Sequence, residues 1–356
     1  MAHDFFVDRN NFTRTDLRES APLTPQDGEI VLRVERFALT ANNITYGVAG
    51  DMIGYWQFFP AADDWGRIPV WGIGKVTASQ HQNIRVGQHF YGYFPMSSEL
   101  LVRPDAVSPR GFTDATPHRA SLPMVYNQYT ELSSTNGFAP EFDNHAILYR
   151  PLFTTSFVLD DYFADHNFFD AQRVILASAS SKTAFGMAFM LKRRPEISVT
   201  GLTSRDNVDF VKSLGLYDHV LSYDNLESLE QVDSVFVDMA GNPEVRRQVH
   251  HTLGTHLKNS CGVGITHWEN REAGDVASLP GPKPTMFFAP DQIVKRHKEL
   301  GPAVYQQQLN QATEAFFKDV DAWVHIEEHP FSQVERVYKT VLDGAPPARG
   351  LILTGD

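Results

Sequence analysis

Small hydroxyl side chains and two cations follow two short apolar runs near the middle of the chain. The first run, at 174–177, leads into Ser178, Ser180, Ser181, Lys182 and Thr183. The second run, at 198–202, leads into Thr203, Ser204 and Arg205. Backbone N–H groups at the first turn of a helix bind phosphate, and neighbouring hydroxyls and cations add hydrogen bonds and charge. These residue types predict a binding site for a phosphorylated ligand.

An apolar strand, a loop of small residues, a helical pattern and a second apolar strand form the layout of a dinucleotide-binding βαβ unit. Its first loop holds the pyrophosphate, and the residue after its second strand meets the adenosine ribose. An acidic residue at that point pairs with the ribose hydroxyls of NAD, whereas an arginine accommodates the 2′-phosphate of NADP. Arg205 therefore predicts NADP(H) as the cofactor, with Tyr223 stacking on or capping the adenosine end.

The glycines that are usual in such a loop are absent, and serine and alanine are their smallest substitutes. Purely structural roles stay open as alternatives. They are a helix N-cap for Ser180 or Ser181, a solvated side chain for Lys182, and plain surface positions for Arg205 and Tyr223.

The surrounding patterns define the elements that position these residues. Short strands with Gly and Pro punctuation, among them 28–40, 70–76 and 86–94, predict a β-rich unit through about residue 110. From residue 152 onward, continuous apolar runs alternate with helical patterns, which predicts a doubly wound parallel sheet. The chain is therefore expected to be an α/β protein whose tail adds two helices and a final strand.

Composition restricts the classes of function. The 356 residues carry a formal net charge of −12, which disfavours nucleic acid and anionic membrane surfaces as partners. Cys261 is the only cysteine, so disulfides within the chain and multi-cysteine zinc sites are excluded. The sequence contains no apolar run of about 18 residues and no signal-peptide pattern at its start. We expect a cytoplasmic protein that acts on a small molecule.

Taken in order, several segments resemble the medium-chain dehydrogenase/reductase superfamily, nearest to its zinc-free quinone oxidoreductases and enoyl reductases. These segments are 29–34, 39–44, 86–92, 151–156, the βαβ unit, 237–241 and 344–353. The resemblance covers nearly the whole chain and also points to a divergent subgroup of unknown function. It implies a GroES-like substrate domain over 1–150, a Rossmann domain over 151–284, a segment 285–356 that partly returns to the first domain, and a homodimer.

The resemblance also implies residues of the site. Nicotinamide contacts are expected from the ends of later strands, at Ala240, Gly241, Gly262, Gly264 and Phe288. In the superfamily, a tyrosine in a loop facing the nicotinamide orients the substrate or donates a proton. Here the candidates are Tyr46 first and Tyr55 second, with Asn43 beside them and core packing as the alternative for both tyrosines. No metal is expected, because the Gly-His-Glu segment and the cysteine that ligate zinc are both replaced.

The sequence therefore predicts a zinc-independent, NADPH-dependent oxidoreductase that transfers hydride to an activated C=C bond, a quinone or a carbonyl. Two alternatives use the same fold. One is a catalytically silent NADPH-binding regulatory or scaffold protein, and the other is a lyase or isomerase that uses the same cleft. The loop at 178–184, in which the usual glycines are replaced, is the feature that favours the catalytically silent protein as an alternative.

Overall fold

The computed structural model describes residues 1–239, 241–263 and 278–355. It divides the chain into two compact units. The first combines Met1–Tyr149 with Val324–Asp356, and the second is Arg150–Trp323. The second unit thus runs to Trp323, past the residue 284 that the resemblance implied, and only the last part of the segment 285–356 belongs to the first unit.

The first unit is built on two sheets of mainly antiparallel strands. The strands are β1 Ala2–Asp8, β2 Asn11–Ser20, β3 Ile30–Leu39, β4 Trp65–Gly66, β5 Pro69–Ser79, β6 His89–Pro95, β7 Glu99–Val102, β8 Pro104–Ser108, β9 Gly111–Asp114, β10 Gln128–Glu131, β17 His325–Pro330 and β18 Arg349–Thr354. The smaller sheet has the order β2-β1-β4. The larger has the order β17-β18-β3-β5-β6-β10-β9-β8, with β7 paired to β3. The β-rich unit predicted from the sequence is confirmed.

Close approach of two strands explains the glycines of β5. Gly72 lies opposite Phe37 of β3, and a Cβ at Gly72 would lie only 2.6 Å from the carbonyl oxygen of Arg36. Glycine is therefore required for the two strands to pack at this distance. The pairing buries the apolar side chains of β3, including Leu32 and Val34, in the core of the unit.

Two short helices follow β3: α1 Ala41–Val48 and α2 Gly50–Ile53. The resemblance led us to expect a loop here. The structure forms a helix because the Thr40 backbone N–H donates to the Asn43 side-chain oxygen at 2.8 Å, which satisfies a backbone group at the helix start. A further helix of this unit, Val334–Leu342, buries Val334, Val337, Tyr338 and Val341 in the same core.

The second unit contains one parallel sheet. Its strands are β11 Arg173–Ala177, β12 Ser198–Thr203, β13 His219–Ser222, β14 Ser234–Asp238, β15 Leu257–Val263 and β16 Thr285–Phe287. They lie in the order β13-β12-β11-β14-β15-β16, and every pairing is parallel. The chain forms β11, β12 and β13 outward on one side and then continues with β14 on the other side of β11. The order of the strands therefore reverses between β11 and β14. Ligands bind at this point, at the carboxyl ends of the strands, in such sheets. The doubly wound sheet is confirmed.

Helices flank this sheet: α3 Asp143–Asp165, α4 Lys182–Leu191, α5 Val208–Ser213, α6 Pro243–Leu253, α7 Ala289–Leu300 and α8 Pro302–Val320. Phe316 of α8 stacks on Phe153 of α3 at 4.5 Å and lies 5.4 Å from Phe189 of α4. This aromatic packing holds α8 on the second unit and explains why that unit extends to Trp323. Across the described ranges, no helix combines the length and apolar character needed to cross a membrane.

Candidate functional site

The predicted phosphate loop lies at the carboxyl end of β11, beside the reversal of strand order. Ser178 has a φ of +51°, in the left-handed region that favours glycine. A serine thus takes the conformation for which dinucleotide loops use their first glycine. Ser181 is the N-cap of α4, and its Oγ accepts the N–H of Ala184 at 3.3 Å. The start of α4 is therefore the helix N-terminus at which the predicted pyrophosphate contact would lie.

Two tyrosines fix this loop within the second unit. The Tyr223 hydroxyl accepts the backbone N–H of Ser178 at 2.8 Å, and the Tyr217 hydroxyl donates to the carbonyl of Ala179 at 2.8 Å. Gly201 of β12 makes room for the second ring, because a Cβ there would lie 2.8 Å from Tyr217 Cδ1 and 2.9 Å from Ala179 Cβ. The sequence singled out Tyr223 but missed Tyr217, which no motif marks.

Arg205 follows β12 and begins the turn Arg205–Asn207. Its guanidinium pairs with the Asp224 carboxylate, with Nε 3.1 Å and Nη2 3.0 Å from Oδ2. Thr203 is buried at the end of β12, whereas Ser204 is exposed. Arg205 therefore stands where an adenosine ribose is met in this fold, but it already has an anionic partner.

Lys182, Thr183 and Ser180 complete the loop region. Burial lowers the pKa of Lys182 to about 8, so its ammonium form predominates at neutral pH. The Thr183 carbonyl accepts a hydrogen bond from Ser156 of α3 at 2.7 Å, which anchors the first turn of α4. The Asn207 side-chain amide donates to the Ser180 hydroxyl at 3.3 Å, so the turn after β12 is tied to the loop.

Beyond the reversal, β14 and β15 present a buried acid, two glycines and the cysteine. Asp238 ends β14, and its Oδ1 accepts the N–H of Gly241 at 2.8 Å. Gly241 has a φ of +68°, a conformation that suits glycine. Gly262 pairs with Asp238 in the sheet. Burial, and to a lesser extent Asp238, raises the pKa of Cys261 to about 12, so this buried thiol stays protonated.

Three further residues are predicted to contact the nicotinamide: Ala240, Gly264 and Phe288. Ala240 and Gly264 lie outside the described residues. Phe288 directly follows β16, and 57% of its side chain is exposed. Because all six strands are parallel, the segments after them reach the same edge of the sheet, so Ser178, Arg205 and Gly241 share that edge. In the described part of the chain, no three His, Cys, Asp or Glu side chains converge as a metal site requires.

The first unit holds both predicted catalytic tyrosines in one aromatic cluster. Its members are Tyr46, Tyr55, Phe58, Phe59, Trp71, Tyr93 and Tyr126. The Tyr46 and Tyr55 rings lie 4.6 Å apart between centroids, and the Tyr93 and Tyr126 rings lie 4.8 Å apart. The structure thus brings Tyr46 and Tyr55 together and adds two phenols that the sequence did not single out.

The hydroxyls of this cluster are hydrogen-bond donors at neutral pH. The Tyr55 and Tyr126 hydroxyls bond to each other at 2.9 Å, and the Trp71 ring nitrogen lies 3.4 Å from the Tyr46 hydroxyl. Burial raises the pKa of Tyr55 to about 12 and the pKa of Tyr46 further still. The Tyr93 hydroxyl is fully buried and has no hydrogen-bond partner among the described residues.

Asn43 has a structural task in the first unit. Its side-chain oxygen accepts from Thr40, and its side-chain nitrogen donates to the carbonyl of Pro69 at 3.0 Å. These bonds fix the start of α1 against β5 and so position Tyr46 on the same helix. A direct role of Asn43 in catalysis stays a prediction.

Comparisons with known proteins relate the chain to one sequence family and to several solved structures. Residues 37–346 match the family described as Protein of unknown function (DUF2855). No curated protein matches the sequence. The CurK enoyl reductase is 13% identical, with coverage of 100% of this chain and 99% of its own, at a TM-score of 0.60. CurA from Vibrio vulnificus, solved in complex with NADPH, is 15% identical, with 99% of each chain covered and a TM-score of 0.61.

A quinone oxidoreductase from Coxiella burnetii is 12% identical, again with 99% of each chain covered and a TM-score of 0.60. At these identities the structural matches establish the fold. They agree with the β-rich unit and the parallel Rossmann sheet described above, which are the two parts of the medium-chain dehydrogenase/reductase fold. The chain has this fold and, by its match over most of its length, belongs to the DUF2855 family.

Proposed function

We propose that the protein is an NADPH-dependent oxidoreductase that works without zinc and transfers hydride to an electron-poor C=C bond, a quinone or a carbonyl. One observation carries the proposal: the loop predicted to bind phosphate lies where the strand order of the parallel sheet reverses, and Ser178 has the left-handed conformation that suits the missing glycine. The NADPH complex of CurA, which shares the fold, supports the choice of cofactor.

The second unit supplies the groups that would hold NADPH. The helix N-terminus at the start of α4 and the Lys182 ammonium suit the pyrophosphate. Arg205 suits the 2′-phosphate, because a guanidinium binds phosphate through two parallel hydrogen bonds. When bound, the nicotinamide supplies the hydride. The protein orients it and excludes water.

The aromatic cluster of the first unit supplies the proton. The phenols of Tyr46 and Tyr55 are protonated throughout the neutral range, so either would donate a hydrogen bond to the oxygen of an enolate or a reduced quinone and pass its proton as charge develops there. Burial raises both pKa values, which keeps the proton on the phenol until that charge develops. The hydrogen bond from Tyr126 to Tyr55 would stabilise the phenolate left behind. The rings around them favour a planar, uncharged substrate, since burial of an unpaired charge among aromatic rings is costly.

A catalytically silent NADPH-binding protein is the second candidate. It is favoured by the close packing of the cluster, in which the Tyr46 ring already contacts Tyr55 and Tyr93 at centroid distances of 4.6 and 5.8 Å. Such packing is also what a purely structural core would show. The two candidates differ in turnover and not in cofactor binding.

NADPH consumption separates them. The absorbance of NADPH is followed with a panel of quinones, enones and aldehydes, using the wild type, Tyr46→Phe, Tyr55→Phe and the control Tyr305→Phe. Tyr305 is a buried tyrosine of α8 and belongs neither to the loop after β11 nor to the aromatic cluster. An oxidoreductase consumes NADPH, keeps its rate in the control and loses about 10²-fold in the variant that lacks the proton donor. NADPH binding with no consumption for any acceptor supports the silent protein.

We further propose that the protein is a cytoplasmic homodimer. The cytoplasm is supported by the single buried cysteine, since an oxidising compartment favours disulfides. The homodimer rests on the family resemblance. Sedimentation of the purified chain tests the dimer, and fractionation of cells tests the location.

A further inference from the structure

Asp224 is bonded to the residue that we assign to the 2′-phosphate. Its Oδ2 lies 3.1 Å from Nε and 3.0 Å from Nη2 of Arg205. Both side chains are exposed, at 80% for Arg205 and 54% for Asp224. A single carboxylate oxygen therefore contacts two of the guanidinium nitrogens with which an arginine binds phosphate.

The carboxylate is held in that position by its own turn. Ser222 at the end of β13 accepts the N–H of Asp224 at 3.3 Å and donates its hydroxyl to Asp224 Oδ2 at 3.1 Å. These two bonds fix the backbone and the carboxylate together. Asp224 is thus presented to Arg205 by a defined turn and not by a freely rotating side chain.

Tyr223, the residue before Asp224, bonds to the loop after β11 that is predicted to bind phosphate. The Tyr223 hydroxyl accepts the backbone N–H of Ser178 at 2.8 Å, which is one of the donors that a bound pyrophosphate could use. Two consecutive residues, Tyr223 and Asp224, therefore bond to the two groups that would meet the two phosphate positions of NADPH. In this structure, the turn therefore supplies hydrogen-bond partners to the Ser178 N–H and to the Arg205 guanidinium, the groups that we assign to the phosphates.

We propose that Asp224 competes with the 2′-phosphate for Arg205 and is thereby a determinant of cofactor specificity. The inference rests on the proposed NADP(H) site. A 2′-phosphate must displace the carboxylate or bind beside it, and two like charges within a few ångströms repel. NADH carries no 2′-phosphate and meets no such competition. Asp224 therefore weakens the binding of NADPH and reduces the difference in affinity between NADPH and NADH.

The test measures binding by isothermal titration calorimetry to the wild type, Asp224→Asn and the control Glu227→Gln. Glu227 is exposed on the same turn and makes no bond to Arg205 in the structure as described, so its variant removes an equal charge without freeing the guanidinium. The ligands are NADPH, NADH, 2′,5′-ADP and 5′-AMP. Thermal unfolding of each variant checks that it is folded.

Exposed ion pairs are weak, so Asp224→Asn should raise the affinity for NADPH and 2′,5′-ADP by about 2- to 5-fold. Affinity for NADH and 5′-AMP, and the behaviour of Glu227→Gln, should stay at the wild-type level. Equal NADPH affinity in wild type and Asp224→Asn overturns the inference while leaving the cofactor proposal intact. Loss of NADH affinity in Asp224→Asn also overturns it, because Asp224 would then bind the ribose hydroxyls. No binding of either dinucleotide overturns the cofactor proposal and this inference together.

Discussion

Two tyrosines of the first unit should respond differently to the same substitution. Tyr93 and Tyr129 are both fully buried, and they lie on the neighbouring strands β6 and β10. The Tyr93 hydroxyl has no partner among the described residues. The Tyr129 hydroxyl donates to the Tyr93 carbonyl at 2.5 Å and accepts from Arg119 at 3.1 Å. Replacement by phenylalanine removes one oxygen in each case and leaves the ring.

The expected free energies follow from hydrogen bonding. A buried hydroxyl without a partner costs about 1–3 kcal/mol, so its removal in Tyr93→Phe should raise the free energy of unfolding by about 1 kcal/mol or leave it unchanged. In Tyr129→Phe, a carbonyl and a guanidinium N–H both lose their partner. We expect a loss of about 2–4 kcal/mol, because one of the two lost bonds involves a charged group.

Urea denaturation followed by tryptophan fluorescence measures both changes, since Trp71 lies in the aromatic cluster and reports on the first unit. Tyr93→Phe should unfold at an equal or higher urea concentration than the wild type, and Tyr129→Phe at a clearly lower one. A loss of stability in Tyr93→Phe comparable to that in Tyr129→Phe would refute the reasoning. If Tyr93→Phe is stable but turns over substrate more slowly, the hydroxyl is retained for substrate contact.

Three further predictions concern the second unit. Gly201→Ala places a Cβ 2.8 Å from the Tyr217 ring, so thermal unfolding should show a loss of about 1–3 kcal/mol and calorimetry a weaker binding of NADPH. Burial lowers the pKa of His250, so the unfolded chain takes up a proton first as the pH falls. Stability should be full above about pH 6.5 and decline below it, and this decline should be reduced in His250→Gln in urea titrations. Because burial lowers the pKa of Lys182 to about 8, NADPH affinity measured by calorimetry should fall above that pH in the wild type but not in Lys182→Met.

Much of the fold could be predicted because its signals are local. The alternation of β3 and the continuous apolar runs of β11, β12 and β14 gave the strand types directly. The boundary at Trp323 could not be predicted, because it depends on contacts of Phe316 with two helices more than a hundred residues earlier in the chain. The helix at α1 was missed because the resemblance outweighed the capping signal of Thr40 and Asn43.

Residues of the candidate site could be named from the sequence only where they follow one another along the chain. The loop after β11 and the arginine after β12 are adjacent to strong strand signals, so Ser178 and Arg205 could be named. Tyr93 and Asp224 could not, because their importance comes from partners or a lack of partners that appear only after folding. A hydroxyl in a strand pattern and an acid after a strand are each common in sequences, so neither residue type is informative by itself.

Thermal unfolding with NADPH and with NADH tests the central claim most directly. A ligand that binds only the folded chain stabilises it by about 2.7 kcal/mol at a concentration of 100 times its Kd. We predict that NADPH raises the unfolding midpoint well above the value reached with NADH at the same concentration, because Arg205 binds the 2′-phosphate. Equal shifts with the two dinucleotides, or no shift with either, would contradict the account.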